Sequence, residues 1–446
     1  MHSPSNFDWL EHVKTHGSKL ELEPVKRLLN LLGDPQTSFQ SIHVTGTNGK
    51  GSTTAMTASI LEAAGHRTGM FTSPHLSRVT ESVKVNDEDI SLAKMDSILT
   101  NIRENLRKLT AQGVRHPTWF EVLVALAYSY FSQENVDIAV VEVGMGGRHD
   151  ATNVIDSLAS IVTNVSLEHT QLLGDTVEEI AEVKAGILKN CSVLITAATQ
   201  TGVVAKIREI ADQRNSRLIR VDKDVKIFPE TYSIEGQTFT VATPACEYTG
   251  LTLPLIGAHQ LRNAACAIAA VEAAKEKGFE VAPEDVRQGL GSVRWPGRFE
   301  VMEREPLVVL DGAKDAEAIK ALVETVKQTL QGRRLISIVG ISSDKAHRSM
   351  IHSLAEVTER FILTEHRVRG RTARATRLQK IAMETGIPAV ISTPVHEAIE
   401  QAKQLAGPED VILVTGSVFL VGEAREYWYP ASDILHEARN TRKSGQ

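Results

Sequence analysis

The sequence predicts an α/β protein: a large, doubly wound, mostly parallel sheet domain, followed by a smaller Rossmann-like α/β domain. Three observations predict it. Short apolar runs rich in β-branched residues alternate with helical patterns almost throughout. One of those runs feeds a glycine-rich turn that opens directly into a helical stretch. The segment Trp295-Pro-Gly-Arg298 then punctuates the chain, and a second series of strand and helix patterns begins after it. Short runs buried on both faces suit parallel strands, with helices covering the sheet.

The elements follow in chain order. Ile42–Val44 is a strand, Gly46 to Gly51 a loop and Thr53–Ala64 an alanine-rich helix. The runs Ile138–Val143, Ala159–Thr163, Val193–Thr196 and Leu218–Val221 read as further strands. Helical stretches at Val122–Phe131, Val177–Leu188 and Val204–Gln213 lie between them. Residues 225–253 break the rhythm, and their short alternating segments predict antiparallel hairpins or an edge extension. Helical patterns resume at Gln260–Lys277 and Pro283–Leu290. Beyond the joint, strands are expected at Leu307–Leu310, Leu335–Val339, Phe361–Thr364, Ala389–Ile391 and Val411–Thr415. The domains divide as 1–298 and 299–446. The polar residues Asn440 to Gln446 read as a frayed end.

Composition narrows the function classes. A chain of 446 residues with a net charge of −6 has ample core and no basic excess for nucleic acid. The three cysteines, Cys191, Cys246 and Cys266, are widely spaced and odd in number, which argues for a reducing compartment. The start of the chain, with Asp8, Glu11 and Lys14, lacks a signal-peptide core, and no apolar run approaches membrane-spanning length. The expectation is a cytoplasmic monomer acting on small molecules, with neither a membrane nor a nucleic-acid partner.

Chemistry concentrates at expected strand ends, where open α/β sheets bind ligands. In Thr47-Asn-Gly-Lys-Gly-Ser-Thr53, loop N–H groups can face one concavity at a helix start, which suits phosphate. Lys50 supplies a cation for β- and γ-phosphates, and Ser52 a hydroxyl for Mg²⁺. The loop is a shortened P-loop: its first glycine falls at Val44, and Gly51 separates Lys50 from Ser52. Glu142 closes a strand and opens a glycine turn, a position suited to Mg²⁺ near phosphates. His169 lies just past another strand; it reads as a ligand or as a packed loop residue. Lys184 falls on the apolar stripe with Ile180 and Leu188. It either snorkels to a rim or carries a buried or modified amine. Asp311, Asp344-Lys345 and Thr415-Gly-Ser417 mark three polar corners of the second domain.

Together these residues resemble the folylpolyglutamate synthase/dihydrofolate synthase family, within the Mur ligase superfamily. The matching pieces are His43-Val-Thr-Gly-Thr-Asn-Gly-Lys-Gly-Ser52, Thr72-Ser-Pro-His-Leu76 and Glu142-Val-Gly-Met-Gly-Gly-Arg-His-Asp-Ala-Thr-Asn153. Leu173-Gly-Asp-Thr176, Lys184-Ala-Gly-Ile187, His259-Gln260 with Asn263, Trp295-Pro-Gly-Arg298 and Thr415-Gly-Ser417 complete them. The resemblance implies ATP-dependent ligation of glutamate to dihydropteroate, to a reduced folate, or to both, through an acyl phosphate. It implies that Lys50 contacts the β- and γ-phosphates, and that Ser73, Glu142 and His169 bind two Mg²⁺ ions. Lys184 matches the lysine that CO₂ carbamoylates. Asn263, Arg298 and Asp311 would bind nucleotide, Lys345 and Ser417 the amino acid. The segment after Ser73, through about Val85, would be a mobile loop beside the pterin.

One departure stands out. The family reads Asp-Gly-Ala-His-Asn-Pro where this chain has Asp311-Gly-Ala-Lys-Asp-Ala316. Lys314 would take over part of the histidine's role beside the transferring phosphoryl group. His149 replaces a leucine and Glu168 an aspartate, both milder changes. The departure leaves room for a related ligase with another acid or amine. A nucleotide-binding pseudoenzyme is the rival from a different class.

Overall fold

The computed structural model describes residues 6–13, 21–111, 113–368 and 370–430. Lys14 and the polar end 440–446 lie outside them. Among the described residues, no helix is long and apolar enough to cross a membrane.

The first sheet has eight strands: β1 (Gln40–Thr45), β2 (Thr68–Phe71), β3 (Val83–Val85), β4 (Glu88–Asp89), β5 (Ile138–Glu142), β6 (Ala159–Val162), β7 (Val193–Thr196) and β8 (Arg217–Arg220). Their spatial order is β4-β3-β2-β5-β1-β6-β7-β8, parallel except for the β2–β3–β4 edge. The central strands are buried on both faces, as continuous apolar runs require. In β5, Ile138 and Val140 join one core cluster and Ala139 and Val141 another. The first cluster holds two alanine-rich helices, Lys50–Ala63 and Ala258–Lys275. Their small side chains bring both close to the sheet beneath the glycine-rich loop. Ser59 in the first of them donates to the Gly289 carbonyl of helix Pro283–Ser292 at 2.7 Å.

Residues 226–253 form a separate antiparallel sheet of β9 (Lys226–Ser233), β10 (Gly236–Ala242) and β11 (Glu247–Leu253). Hairpins are therefore present, but they do not extend the main sheet. The second main sheet comprises β12 (Glu300–Arg304), β13 (Leu307–Asp311), β14 (Leu335–Val339), β15 (Arg360–Leu363), β16 (Ala389–Ile391) and β17 (Val411–Thr415). Its order is β12-β13-β17-β14-β15-β16, with only β12 antiparallel.

Two expectations change. Helix Val177–Ala185 stops three residues before the expected Leu188. The apolar stripe continues because Ile187 and Leu188 bond back to Lys184 and Ala185, one residue closer than in an α-helix. The segment 74–85 is only partly a loop. Val83–Val85 pairs with β2, and Ser82 and Val83 are fully buried. Leu76 packs against the apolar cluster of this second main sheet, and Ser77 donates to the Gly422 carbonyl at 3.4 Å. This loop therefore bridges the first sheet to the helix Val418–Arg425.

Candidate active site

The carboxyl ends of β1, β2, β5, β6 and β13 converge on one cleft. Thr47 to Ser52, Ser73, Glu142, Asn263, Arg298, Asp311 and Lys314 line it. Thr53 does not: it is buried inside its helix. Ser417, Lys345, His169 and Lys184 also lie outside that lining.

The loop after β1 is held by its neighbour after β6. Asn48 donates its backbone N–H to Asn164 Oδ1 at 2.8 Å, and its carbonyl accepts from Thr163 Oγ1 at 2.6 Å. Ser166 N–H donates to Thr47 Oγ1 at 3.0 Å. Gly46, at φ +150°, leaves no room for a Cβ against the Thr163 hydroxyl. Gly49, at φ +82°, presses on the Asn263 amide and starts the helix at Lys50. Lys50 Nζ donates to the carbonyls of Gly46 and Thr47 at 2.9 and 3.3 Å. The loop thus combines helix-start N–H groups with a cation held at its mouth.

Glu142 is 5 % exposed, and its Oε2 accepts the Ser73 N–H at 3.1 Å. Burial raises its pKa, and the charges of Lys50, Lys314 and Arg298 oppose that rise. Ser52, Ser73 and Glu142 supply hard oxygen donors. Among the described residues, no three His, Cys, Asp or Glu side chains gather as a metal cluster. A Mg²⁺ ion fits this set, because it takes few protein carboxylates and completes its shell with phosphate and water.

Asp311 spends both oxygens on the joint beside it: Oδ2 accepts Phe299 N–H and Oδ1 accepts Ala313 N–H, each at 2.9 Å. Asp315 caps helix Ala316–Thr329 through the Ala318 N–H at 2.9 Å. The same oxygen accepts the Asn48 side chain at 3.2 Å, so the second sheet touches the phosphate-type loop. Between them, Lys314 is half-buried and lines the cleft. Burial and the Lys50 charge lower its pKa to about 8, with Glu168 and Glu142 pulling the other way. The departure from the family pattern therefore sits inside the cleft.

Lys184 is 1 % exposed and does not snorkel. Its Nζ meets Glu168 Oε1 at 2.6 Å. Burial is the main reason its pKa falls to about 8, with Lys50 adding to the drop and Glu168 resisting it. Burial also works against the Glu168 charge, but Lys184 and Lys50 outweigh it and bring that carboxyl down to about 2. Sequence reasoning missed this partnership. Its one signal was the substitution at Glu168 itself. An ammonium paired with a carboxylate does not host a cation, so a second metal fits only if the amine changes chemically.

His169 adopts φ +46° ahead of a short helical turn, Thr170–Leu173. Burial lowers its pKa; the charges of Lys345 and Lys314 add to the drop, while Glu168 and Asp344 oppose it. The imidazole therefore stands across from the second sheet's Lys345, which pairs with Asp344 at 3.1 Å. Ser417 caps helix Val418–Arg425 by accepting the Phe419 N–H at 3.2 Å. Trp295, against Gly51, and His259, whose pKa burial brings to about 4, also line the cleft. The arrangement as a whole suits a polyanion.

Residues 44–271 match the Mur ligase middle domain, and residues 297–418 the Mur ligase glutamate ligase domain. The chain is 37 % identical to a probable bifunctional folylpolyglutamate synthase/dihydropteroate synthase of Haloferax volcanii, covering 99 % of this chain and 52 % of that protein. It thus spans about half the length of that relative. It is 32 % identical to the dihydrofolate synthase/folylpolyglutamate synthase of Bacillus subtilis, covering 94 % of this chain and 97 % of that one. The crystal structure of Mycobacterium tuberculosis folylpolyglutamate synthase complexed with ADP superposes with a TM-score of 0.89 at 30 % identity, covering 95 % and 98 % of the two chains.

The Lys184–Glu168 pair contributes little net stability, because the desolvation of both groups offsets their attraction. Removing one partner leaves a buried charge unpaired. Lys184→Met should therefore lower unfolding free energy by about 3 kcal/mol. The double variant Lys184→Met/Glu168→Leu should recover most of that loss. Urea denaturation of both variants checks this; a double variant as unstable as the single one contradicts it.

Proposed function

The chain belongs to the folylpolyglutamate synthase/dihydrofolate synthase family of Mur ligases, and from that membership we propose that it is an ATP-dependent ligase joining L-glutamate to dihydropteroate, to a reduced folate, or to both. The observation that carries this reading is the single cleft uniting the phosphate-type loop, Glu142 and the Asp311–Lys314 turn. Residues 1–298 form the ATP-binding domain and residues 299–446 the domain that presents the amino acid. It works in the cytoplasm as a monomer on small molecules.

The acceptor's carboxylate attacks the γ-phosphorus in line, ADP departs and an acyl phosphate forms. The amine of glutamate then attacks the acyl carbon, inorganic phosphate leaves, and the amine loses a proton. Thr47, Asn48, Gly49 and Gly51 offer backbone to the phosphates, and Lys50 follows the charge that spreads over the phosphoryl oxygens. Asn263, Arg298 and Asp311 hold the nucleotide. Ser52, Ser73 and Glu142 would hold Mg²⁺, which when bound withdraws charge from those same oxygens. Lys345 and Ser417 present the amino acid. Loop 74–78, already packed on the second sheet's last helix, keeps water from the acyl phosphate.

Incubating the purified protein with ATP, Mg²⁺, glutamate and either dihydropteroate or tetrahydrofolate should add one glutamyl residue, read by mass. Lys50→Ala should stay folded and lose about 10²–10³-fold in turnover. A folded Lys50→Ala protein that releases ADP at the wild-type rate contradicts the assignment, and ADP release independent of any acceptor would favour the pseudoenzyme.

Lys184 is carbamoylated in the working enzyme. Its amine is buried, and with a pKa of about 8 roughly a tenth of it is neutral at pH 7. The neutral amine adds to CO₂, an N–C bond forms, a proton is lost, and a cation becomes an anionic oxygen donor beside His169. That conversion is what a second Mg²⁺ site needs here. With ¹³C-bicarbonate, the wild type should show a carbamate carbon resonance that Lys184→Ala lacks. Identical spectra from the two proteins would remove the modification.

Lys314 stands near the γ-phosphate or the acyl phosphate, where a compact cation on a long stem reaches phosphate oxygens. Lys314→Ala should slow glutamate-dependent turnover by about tenfold or more while changing the KM for ATP less, and Lys314→His should regain part of the rate. Unchanged turnover in Lys314→Ala would take this residue out of the site.

A further inference from the structure

A buried polar network supports the turn that follows Glu142. It begins at His43 in β1, fully buried and opposite Val141 of β5 in register. The His43 Nε2 meets Thr152 Oγ1 at 2.9 Å. Thr152 Oγ1 stands 2.5 Å from Asp150 Oδ1, and the Thr152 N–H donates to the same oxygen at 3.0 Å. The other oxygen, Oδ2, accepts the Met145 N–H at 2.8 Å. Asp150 is itself 2 % exposed. Tyr128, from helix Trp119–Gln133, donates its hydroxyl to the Thr152 carbonyl at 2.9 Å. Among the described residues, His43 Nδ1 has no hydrogen-bond partner.

The proton directions in this network follow from its donors. Asp150 receives two backbone N–H groups, which cannot reverse, so its oxygens act as acceptors. Burial raises its pKa, and bonds from the Thr152 hydroxyl and from the Met145, Thr152 and Gly144 N–H groups oppose that rise. Thr152 then gives its single hydroxyl proton to Asp150, and Thr152 Oγ1 accepts from His43. Burial, with the Lys189 charge, brings the His43 pKa down to about 3, so the imidazole is neutral and holds one N–H. That N–H sits on Nε2. The reverse order would put it on Nδ1, as a buried donor with nothing to receive it. The turn is pinned on two further sides. Thr45 Oγ1 donates to the Gly146 carbonyl at 2.7 Å, and the Arg148 N–H donates to the Val183 carbonyl at 2.8 Å. A Cβ on Gly147 would come within 2.6 Å of the Lys184 carbonyl oxygen.

We propose that His43 is a positioning residue for Glu142: its Nε2–H holds Thr152 and Asp150 so that the turn 144–147 keeps the Glu142 carboxylate aimed into the cleft. This rests on the ligase reading above, in which Glu142 would hold Mg²⁺. His43 acts only through its neighbours. With one lone pair of Thr152 Oγ1 filled by the Nε2–H, the hydroxyl proton is polarised toward Asp150. Asp150 then keeps its grip on Met145, three residues past Glu142. Losing a group that orients a ligating carboxylate weakens metal binding by about 10–100-fold. His43→Leu fills much of the space and frees the hydroxyl to turn. His43→Gln restores an N–H donor of similar reach.

Ring-¹⁵N spectra and Mg²⁺ titration of turnover, both on the full chain, test this. With histidine labelled in the ring, the protein free of nucleotide and metal should show one neutral imidazole that His43→Gln lacks. That ring should be protonated at Nε2 and bare at Nδ1 from about pH 6 to about pH 8. A His43 ring protonated at Nδ1 overturns the proposal. In ligation assays, His43→Leu should raise the Mg²⁺ concentration for half-maximal turnover by about tenfold or more, with the KM for glutamate within about twofold. His43→Gln should recover most of that loss. Thr152→Val keeps the shape and should shift the Mg²⁺ requirement the same way, and the double variant His43→Leu/Thr152→Val should add little to the larger single effect. A folded His43→Leu protein with the wild-type Mg²⁺ requirement overturns the role. An equal rise in the glutamate KM also overturns it, since that marks general loosening. A wild-type chain that ligates no amino acid overturns the ligase reading beneath it.

Discussion

Lys50 and Lys314 line one cleft with Glu142, Lys184 lies beside it on Glu168, and the repulsion that Lys50 exerts on the other two amines is the constraint on which the site depends. The Lys50 charge raises the cost of charging both Lys184 and Lys314. Glu142 and Glu168 offset part of that cost, and neither oxygen set is free of other duties. Such a cleft is electrostatically unfinished. It becomes complete when a polyphosphate enters and supplies the missing negative charge. Binding energy and preorganisation then have the same source, because the cations are already placed and need no reorganisation at the moment of transfer.

The scaffold keeps that charge in place by fixing backbone before side chains. The loop after β1 is bonded to the loop after β6 at Thr47 and Asn48, so the N–H groups facing the cleft are aimed by a neighbouring strand. The second sheet reaches the same loop through Asp315 and Asn48. Asp315 also caps the first helix of its own sheet, so any tilt of that helix is transmitted to the loop that holds Lys50.

Much of this was legible in the sequence, for physical reasons. The central strands are continuous apolar runs because both their faces are buried, and such runs are hard to mistake. Lys184 stood out because a charge on an apolar stripe violates the pattern that specifies burial. Glu168 did not, since its partnership spans a turn that no periodicity records. The edge strands β3, β4 and β12 were missed because they are short and half polar, as strands with one solvated side are. Helix Val177–Ala185 was read too long because the apolar stripe outlasts the hydrogen-bond ladder. The network around His43 left no trace in spacing, because only the pairing of β1 with β5 brings Thr152 beside it.

The staple at Asp311 has a mechanical consequence. Its carboxylate grips the Phe299 N–H, and Gly312 N–H donates to the Gly297 carbonyl at 2.8 Å. Residues 297–299 are therefore fastened to β13 and travel with the six-stranded sheet. The pivot of any swing between the two sheets must lie upstream, in the stretch from Val293 to Pro296. Arg298, although it belongs to the joint by sequence, is then cargo of the moving half. Any swing between the two sheets would carry it toward the cleft or away from it together with the six-stranded sheet.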